Sequence, residues 1–268
     1  MIRAIVAGAG GRMGGRIINM IDADGGIELA AAFERKDAPA VGQDAALIAG
    51  LNKATGVIVA ENLEAVIGQG DVIIDFTFHE ATVNHARTAA KFQRPMVIGT
   101  TGLSPDEMGE IKALARVFPC VLAPNMSVGV NLLYGLIEMA ARTLGDDYDI
   151  EIVEAHHRMK KDAPSGTALQ LGRVAAAAVG RDLTEVGVYA RHGMIGERSR
   201  KEIGIQTVRA GDIVGEHTVL FGGVGERIEI THKASSRDTF AKGAVRAAKW
   251  VAGKAPGLYD MQDVLGLK

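Results

Sequence analysis

The first apolar run, "IRAIVAG", is short, β-branched and closed by glycines. It passes directly into "RMGGRIINMID", where Met13, Ile17, Ile18 and Ile21 recur at helical spacing. The pattern predicts a strand, a tight turn and a helix. A second strand is expected over "IELAAAF" (27 to 33), ending at Glu34-Arg35, and further strands over "GVIVA" (56 to 60) and "DVIIDFT" (71 to 77). A helix through "EATVNHARTAAKF" leads to another strand, "PMVIGTTG" (95 to 102). In "LSPDEM" Ser104 is a helix cap, Pro105 suits the first helical position and Glu107 completes a capping box, so a helix is expected from about 105 to 117. "CVLAPNM" (120 to 126) reads as the next strand. Such β-α alternation with continuously apolar strands predicts a Rossmann-like, doubly wound parallel sheet covered on both faces.

The periodicity changes after about residue 127. "SVGVNLLYGLIEMAARTLG" has helical spacing, "YDIEIVEAHH" alternates like a half-buried strand, and "TALQLGRVAAAAVG" is again helical. Strands then dominate: "VGVYA", "EIGIQTVRA", "EHTVLFG" and "ERIEITHKA". Short glycine connections between them imply a mainly antiparallel or mixed sheet, hence a second α+β domain. A last helix, "DTFAKGAVRAAKWVAG", is long enough to return to the first domain. The expected division is a first domain over 1–126 and 236–268, and a second over 127–235.

Composition narrows the class. At 268 residues, with 47% hydrophobic and 23% charged residues, each of two domains can bury a core. A net charge of -2 supplies no broad positive field for nucleic acid or anionic membrane, so small anionic ligands are the natural partners. Cys120 is the only cysteine; this rules out an internal disulfide and a cysteine-rich metal site, and suits a reducing cytoplasm. No apolar run approaches the ~20 residues of a membrane span, and the start lacks the pattern of an export signal.

Candidate chemistry begins at "VAGAGGRMGGRI", which offers Gly8, Gly10, Gly11 and Gly14 between a strand and a helix. Missing β-carbons let a pyrophosphate approach the backbone, and a helix N-terminus presents amide donors and a positive dipole. Met13 stands where a strict G-x-G-x-x-G has its third glycine. A tight turn without any ligand uses the same glycines. Context favours the dinucleotide: Glu34 ends the second strand about 20 residues later, where an acid meets ribose hydroxyls. Arg35 beside it is a partner for a 2′-phosphate, or a plain surface arginine; together the two suggest use of both NADH and NADPH. "IGTTG" closes another strand at the carboxyl edge, where Thr100 and Thr101 can meet the nicotinamide half or simply lead into the Ser104 cap.

The second candidate is "EAHHRMKKDAPSGTAL" (154 to 169). In an extended segment His156 and His157 point to opposite sides. Pro164 favours an extended Ala163, and Ser165, Gly166 and Thr167 start the following helix with amides that suit a carboxylate. Lys160 adds a cation, and an imidazole titrating near neutrality can manage a proton. Adjacent strand histidines with no third ligand at a familiar spacing argue against a metal. "PSGT" lacks the G-x-S-x-G elbow of a serine hydrolase. Solvated side chains at a strand end are the bland alternative.

Taken in order and spacing, "VAGAGGRMG", "FER", "DFT", "VIGTTG", "EAHHRMKKDAPSGTAL", "VRAGDIVGEHTV" and "ITHKASSRDTFAKGAVRAAKW" resemble the 4-hydroxy-tetrahydrodipicolinate (dihydrodipicolinate) reductase family over nearly the whole chain. The resemblance implies an NADH- or NADPH-dependent reduction of a cyclic, imine-bearing dicarboxylate in diaminopimelate and lysine biosynthesis. It implies His156 as proton donor or acceptor, Lys160 as proton donor, and His157, Gly166 and Thr167 as substrate contacts. Coenzyme contacts are implied at Gly8, Ala9, Gly10, Gly11, Arg12 and Met13, at Glu34 and Arg35, at Gly99, Thr100 and Thr101, and at Ala123, Pro124, Asn125 and Met126. No metal is implied, and a homotetramer assembled through the second domain's sheet is expected. Phe78-His79 and Met126 depart from the family pattern, in which an arginine or serine with a proline, and an aromatic, are frequent. Arg237 is a candidate contact for a second carboxylate or a structural arginine at the return to the first domain. His192, His217 and His232 carry no assigned chemistry. Two other classes compete: a semialdehyde dehydrogenase with Cys120 as nucleophile, and a non-catalytic dinucleotide sensor.

Overall fold

A computed structural model describes residues 1–268. The chain divides into two compact units, Met1–Val128 with Asp238–Lys268, and Gly129–Arg237.

In the first unit β1 (Ile2–Ala7), α1 (Arg12–Asp22), β2 (Ile27–Phe33) and a short α2 (Ala45–Ile48) precede β3 (Val72–Asp75). Then come α3 (His79–Lys91), β4 (Met96–Ile98), α4 (Pro105–Leu114) and β5 (Pro119–Leu122). The second unit holds α5 (Val128–Leu144), β6 (Asp149–His156), α6 (Gly166–Ala178), α7 (Leu183–Val186) and β7 (Gly187–Val188). It continues through β8 (Ile203–Arg209), β9 (Gly215–Gly222) and β10 (Arg227–Ala234). The chain returns to the first unit as α8 (Asp238–Val251), β11 (Gly257–Tyr259) and α9 (Met261–Leu265).

The first sheet is parallel, in the order β11-β5-β4-β3-β1-β2. Its strands are apolar on both sides because both sides are covered. Ala4, Val6, Val72, Ile74, Val97 and Val121 pack with α1 and α8, while Ile5, Ile73, Met96, Ile98 and Cys120 pack with α3 and α4. This is the doubly wound arrangement. Close approach of α8 depends on small residues: a β-carbon on Gly243 would lie 1.8 Å from the Met126 carbonyl oxygen. The Ser104 cap, with the reciprocal Glu107 contact, starts α4.

The second unit has a mixed sheet in the order β10-β9-β6-β8-β7, antiparallel from β10 to β6 and parallel from β6 to β7. Leu133, Ile137 and Ala141 of α5 and Leu171, Ala175 and Ala176 of α6 cover one face, against Ile150, Ile152, Ile203, Ile205, Val219 and Phe221. On the opposite face Val153 and Val208 are exposed.

Three expected elements differ, and one strand is present that was not expected. Residues 56–60 make only single bridges, Ile58 to Asp44 and Ala60 to Phe33, because the Asp44 carboxylate takes the amides of Thr55 and Gly56 and Gly56 turns at φ +78. "VGVYA" contributes two strand residues; beyond it Arg191 leaves the sheet to pair with Glu151 and Glu202, each at 2.7 Å. The helix from Pro105 stops at Leu114, where Arg116 and Val117 donate to Ala113 and Leu114 in a tightened turn that leads into β5. A sixth parallel strand, β11, was not legible in three residues.

Candidate functional site

Strand order in the first sheet reverses between β1 and β3, so a crevice opens beyond their carboxyl ends. The glycine turn lies there. Gly8 takes φ +66, and the amides of Gly8 and Ala9 donate to the Phe33 carbonyl at 3.0 and 3.2 Å. A β-carbon on Gly14 would lie 2.1 Å from the Gly8 carbonyl oxygen, so the helix can approach the turn only with glycine at that place. Gly11 caps α1 without a side chain, and no acid occupies its first turn. Those amide donors fit an anionic group. Arg12 is exposed and Met13 half-buried. The Glu34 carboxylate accepts from the Gly10 amide at 3.3 Å and from the Arg35 amide at 3.1 Å, which holds it beside the turn. Glu34 and Arg35 border two clefts of about 390 and 340 Å³, one toward Gly10, Gly11 and Ala40, the other toward Gly8, Thr77 and Phe78. Glycine turn, open helix end, fixed carboxylate and flanking clefts together suit a dinucleotide.

Beside this turn the end of β3 is held by a buried polar cluster. Asp75 is 0% exposed, and its carboxylate accepts from the Thr77 amide and hydroxyl, each at 2.7 Å, from the Thr82 hydroxyl at 3.2 Å, and pairs with His85 Nδ1 at 2.7 Å. Thr82 in turn meets the Thr100 hydroxyl at 2.7 Å. Thr100 therefore serves the shape of the edge with its side chain, while Thr101 is exposed. Gly99 lies against the Phe76 ring, 2.2 Å from which its β-carbon would stand. Ala123 to Met126 follow β5, with the Ala123 amide donating to Ile98 and Met126 buried in the core. His79 pairs with Glu107 at 2.7 Å, joining the start of α3 to the cap of α4.

In the second unit, the helix-covered face of the sheet is apolar along most of its length and polar at one end. Register makes the change visible: Glu154 stands opposite Thr207 on β8 and His217 on β9, and His217 stands opposite His232 on β10. One residue pair further, His156 stands opposite Arg209. His156 is 9% exposed and Glu154 0%. His156 Nδ1 lies 2.6 Å from Glu154 Oε2; Arg209 donates to both carboxylate oxygens at 2.7 and 2.9 Å. The Ser165 amide donates to Glu154 Oε1 at 2.9 Å.

This last bond corrects one expectation: the Ser165 amide is committed to Glu154, so an anion at the start of α6 is left with Gly166 and Thr167. The Ser165 hydroxyl caps α6 at the Ala168 amide, as its place in the sequence implies, and also contacts His217 Nε2, both at 3.1 Å. Gly166 is exposed, and Thr167 bonds the Tyr134 hydroxyl, whose burial pushes it up to about 12. Lys160 is not a bare cation; it pairs with both Asp162 oxygens at 2.9 Å. His157 leaves the strand and its carbonyl accepts from the Lys160 amide. Arg237 is the last residue of the unit. Glu154, Arg209 and His217 had no assigned role in the sequence. The signal for Glu154 is its i, i+2 spacing from His156 on one strand face; Arg209 and His217 lie far along the chain, in "VRAGDIVGEH".

Electrostatics follow from this packing. Burial alone would raise the Glu154 carboxyl, but Arg209, His156 and the Ser165 amide outweigh it and hold it down at about 2. His156 is lowered, chiefly by burial and further by Lys160 and Arg209, against the opposing pull of Glu154. Burial and the neighbouring His156 lower His217 to about 3, so it is neutral.

Residues 2–126 match the family described as dihydrodipicolinate reductase, N-terminus, and residues 129–265 match the one described as dihydrodipicolinate reductase, C-terminus. The chain belongs to the dihydrodipicolinate reductase family. Among its reductase relatives, the 4-hydroxy-tetrahydrodipicolinate reductase of Syntrophus aciditrophicus is 59% identical over 268 residues, covering 100% of both chains. That of Desulfotalea psychrophila is 62% identical, covering 100% of this chain and 99% of its own. A solved dipicolinate-bound dihydrodipicolinate reductase from a Paenisporosarcina species has a TM-score of 0.77 at 26% identity, covering 98% of each chain. The reductase family thus accounts for both units, the parallel sheet and the mixed sheet alike.

Proposed function

We propose that this family member reduces 4-hydroxy-tetrahydrodipicolinate to tetrahydrodipicolinate, with loss of water, in diaminopimelate and lysine biosynthesis, and that His156 and Lys160 transfer the protons. The observation that carries the assignment of His156 is its pairing with the buried Glu154 beside the start of α6, in a chain that belongs to a reductase family. The first unit binds NADH or NADPH through the Gly8–Met13 turn, with Glu34 on the ribose and Gly99–Thr101 and Ala123–Met126 along the carboxyl edge. A bound reduced nicotinamide supplies the hydride.

The second unit handles the substrate. Gly166 and Thr167 at the start of α6, with His157 and the Lys160 ammonium, hold a ring carboxylate; a fixed pose of this kind is worth several kcal/mol of barrier. The ring gains negative charge as it is reduced, and the imidazolium form of His156 quenches that charge by giving up its Nε2 proton, which leaves the neutral ring protonated on Nδ1. A lowered imidazole gives its proton up readily, which suits this step. Lys160, whose charge is felt at His156, is the second proton-transfer group.

Cys120 supports no rival chemistry: it is fully buried and burial pushes its thiol up to about 12, so the nucleophile of a semialdehyde dehydrogenase is missing. Assembly as a homotetramer is supported by the uncovered sheet face bearing Val153 and Val208. No helix is long and apolar enough to cross a membrane; a cytoplasmic place is part of this proposal.

The test is oxidation of NADH and NADPH on addition of freshly condensed substrate. Wild-type protein turns over; His156→Gln loses roughly 100-fold or more in kcat while coenzyme Kd stays unchanged. Coenzyme binding without substrate-dependent oxidation would make the chain a sensor instead.

A further inference from the structure

We propose that Glu154 is a positioning residue for this reaction: its carboxylate keeps the proton of His156 on Nδ1, so that Nε2 is the atom that exchanges protons with the substrate. The inference rests on the reading that His156 is a proton-transfer group, and adds what sets its working atom.

Every direction around the carboxylate is occupied by a donor. Oε2 receives His156 Nδ1 at 2.6 Å and Arg209 Nη1 at 2.7 Å. Oε1 receives the Ser165 amide at 2.9 Å, Arg209 Nη2 at 2.9 Å and the Thr207 hydroxyl at 3.3 Å. An ionised carboxylate only accepts, so the ring nitrogen facing it must carry hydrogen, and in a neutral imidazole the lone pair then falls on Nε2. Space has been left at that atom: a β-carbon on Gly215 would stand 3.1 Å from it. The other polar neighbours agree. His217 lies edge-on, its ring centroid 5.2 Å from that of His156, and uses its own Nε2 on the Ser165 hydroxyl. Lys160 turns its ammonium to Asp162.

One carboxylate therefore joins two parts of the substrate patch. Through Oε2 it orients the imidazole; through Oε1 and the Ser165 amide it fixes the first turn of α6, where the ring carboxylate is held. Arg209 keeps it charged and in place, and reaches it from β8 across the strand register.

Glutamine in place of Glu154 keeps the shape and reverses the polarity. Its amide nitrogen cannot occupy the Oε1 position, where the Ser165 amide and Arg209 both donate. Turned to the Oε2 position it donates to His156 Nδ1, which drives the ring proton to Nε2. Arg209 Nη1 then still has the Val208 carbonyl at 2.8 Å, and Nη2 the Asp162 carbonyl at 2.7 Å.

The experiment is imidazole nitrogen NMR on wild-type protein and E154Q, with steady-state kinetics and coenzyme titration of both. Wild-type His156 is expected in the Nδ1-protonated form when neutral, and E154Q in the Nε2-protonated form. E154Q is expected to lose roughly 100-fold or more in kcat, as wrong-tautomer variants of other histidine enzymes do, with KM and coenzyme Kd within about 3-fold. An Nε2-protonated wild-type ring overturns the proposal, and needs no variant to be folded. Wild-type kcat in E154Q overturns it as well. If His156→Gln loses turnover and E154Q does not, only the role of Glu154 falls. Full turnover in His156→Gln overturns the proton-transfer reading itself and the role of Glu154 with it.

Discussion

Gly215 on β9 faces the Nε2 edge of His156, and a β-carbon at Gly215 would come to 3.1 Å from that nitrogen. Glu154 holds the other edge of the ring through Nδ1 at 2.6 Å, a contact that opposes a swing aside. Gly215→Ala should therefore obstruct the proton-exchanging atom. It is expected to reduce kcat by about 10-fold or more, with an overpacking cost of about 1–3 kcal/mol in stability. Kinetics and thermal unfolding of the variant check this; wild-type kcat would show that the ring adjusts without loss.

The neutral, buried His217 makes the protein sensitive to acid before its carboxylates do. Its pKa is about 3 in the folded chain against an ordinary 6.5, so between those values the unfolded chain binds a proton that the folded chain refuses. Stability from this group is fully present above about 6.5 and is lost as pH falls toward about 3. His217→Gln is expected to flatten the decline across that window, measured by denaturant unfolding. Glu154, lowered from 4.5 to about 2, loses its contribution as pH falls through that lower range, and that part should survive in the variant.

Arg35 is exposed, whereas its neighbour Glu34 is held by the Gly10 and Arg35 amides. A 2′-phosphate would pair with the guanidinium, and a charged hydrogen bond of this kind is worth about 1.5–3 kcal/mol. Arg35→Ala is expected to raise the Kd of NADPH by about 10-fold or more and that of NADH by less than about 2-fold. Fluorescence titration with both coenzymes decides it, and equal losses would remove Arg35 from any part in choosing between them.

Local chemistry made much of the fold legible. Gly8 and Gly14 are small because a turn and a helix must nearly touch, Ser104 and Glu107 cap α4 through bonds only three residues apart, and Ile17, Ile18 and Ile21 fall on one helical face. Period and spacing suffice for such features. They failed at residues 56–60, where Asp44 takes the amides of Thr55 and Gly56, and at 189–190, where Arg191 is drawn away by Glu151 and Glu202. Both failures come from side chains distant in sequence.

The same division runs through the candidate site. The sequence by itself determined that imidazole, ammonium and a capped helix start occur together, because His156, Lys160 and Ser165 are neighbours in one segment. It did not determine which neighbours tune them. Arg209 and His217 are 55 and 63 residues beyond Glu154 in the chain, and only the pairing of β6 with β8 and β9 sets them beside it. Strand register is a property of the whole sheet, fixed by the burial of Ile150, Ile152, Ile205 and Val219 beneath the helices. It is therefore the packed core that decided which carboxylate stands behind the imidazole, and which nitrogen is left to act.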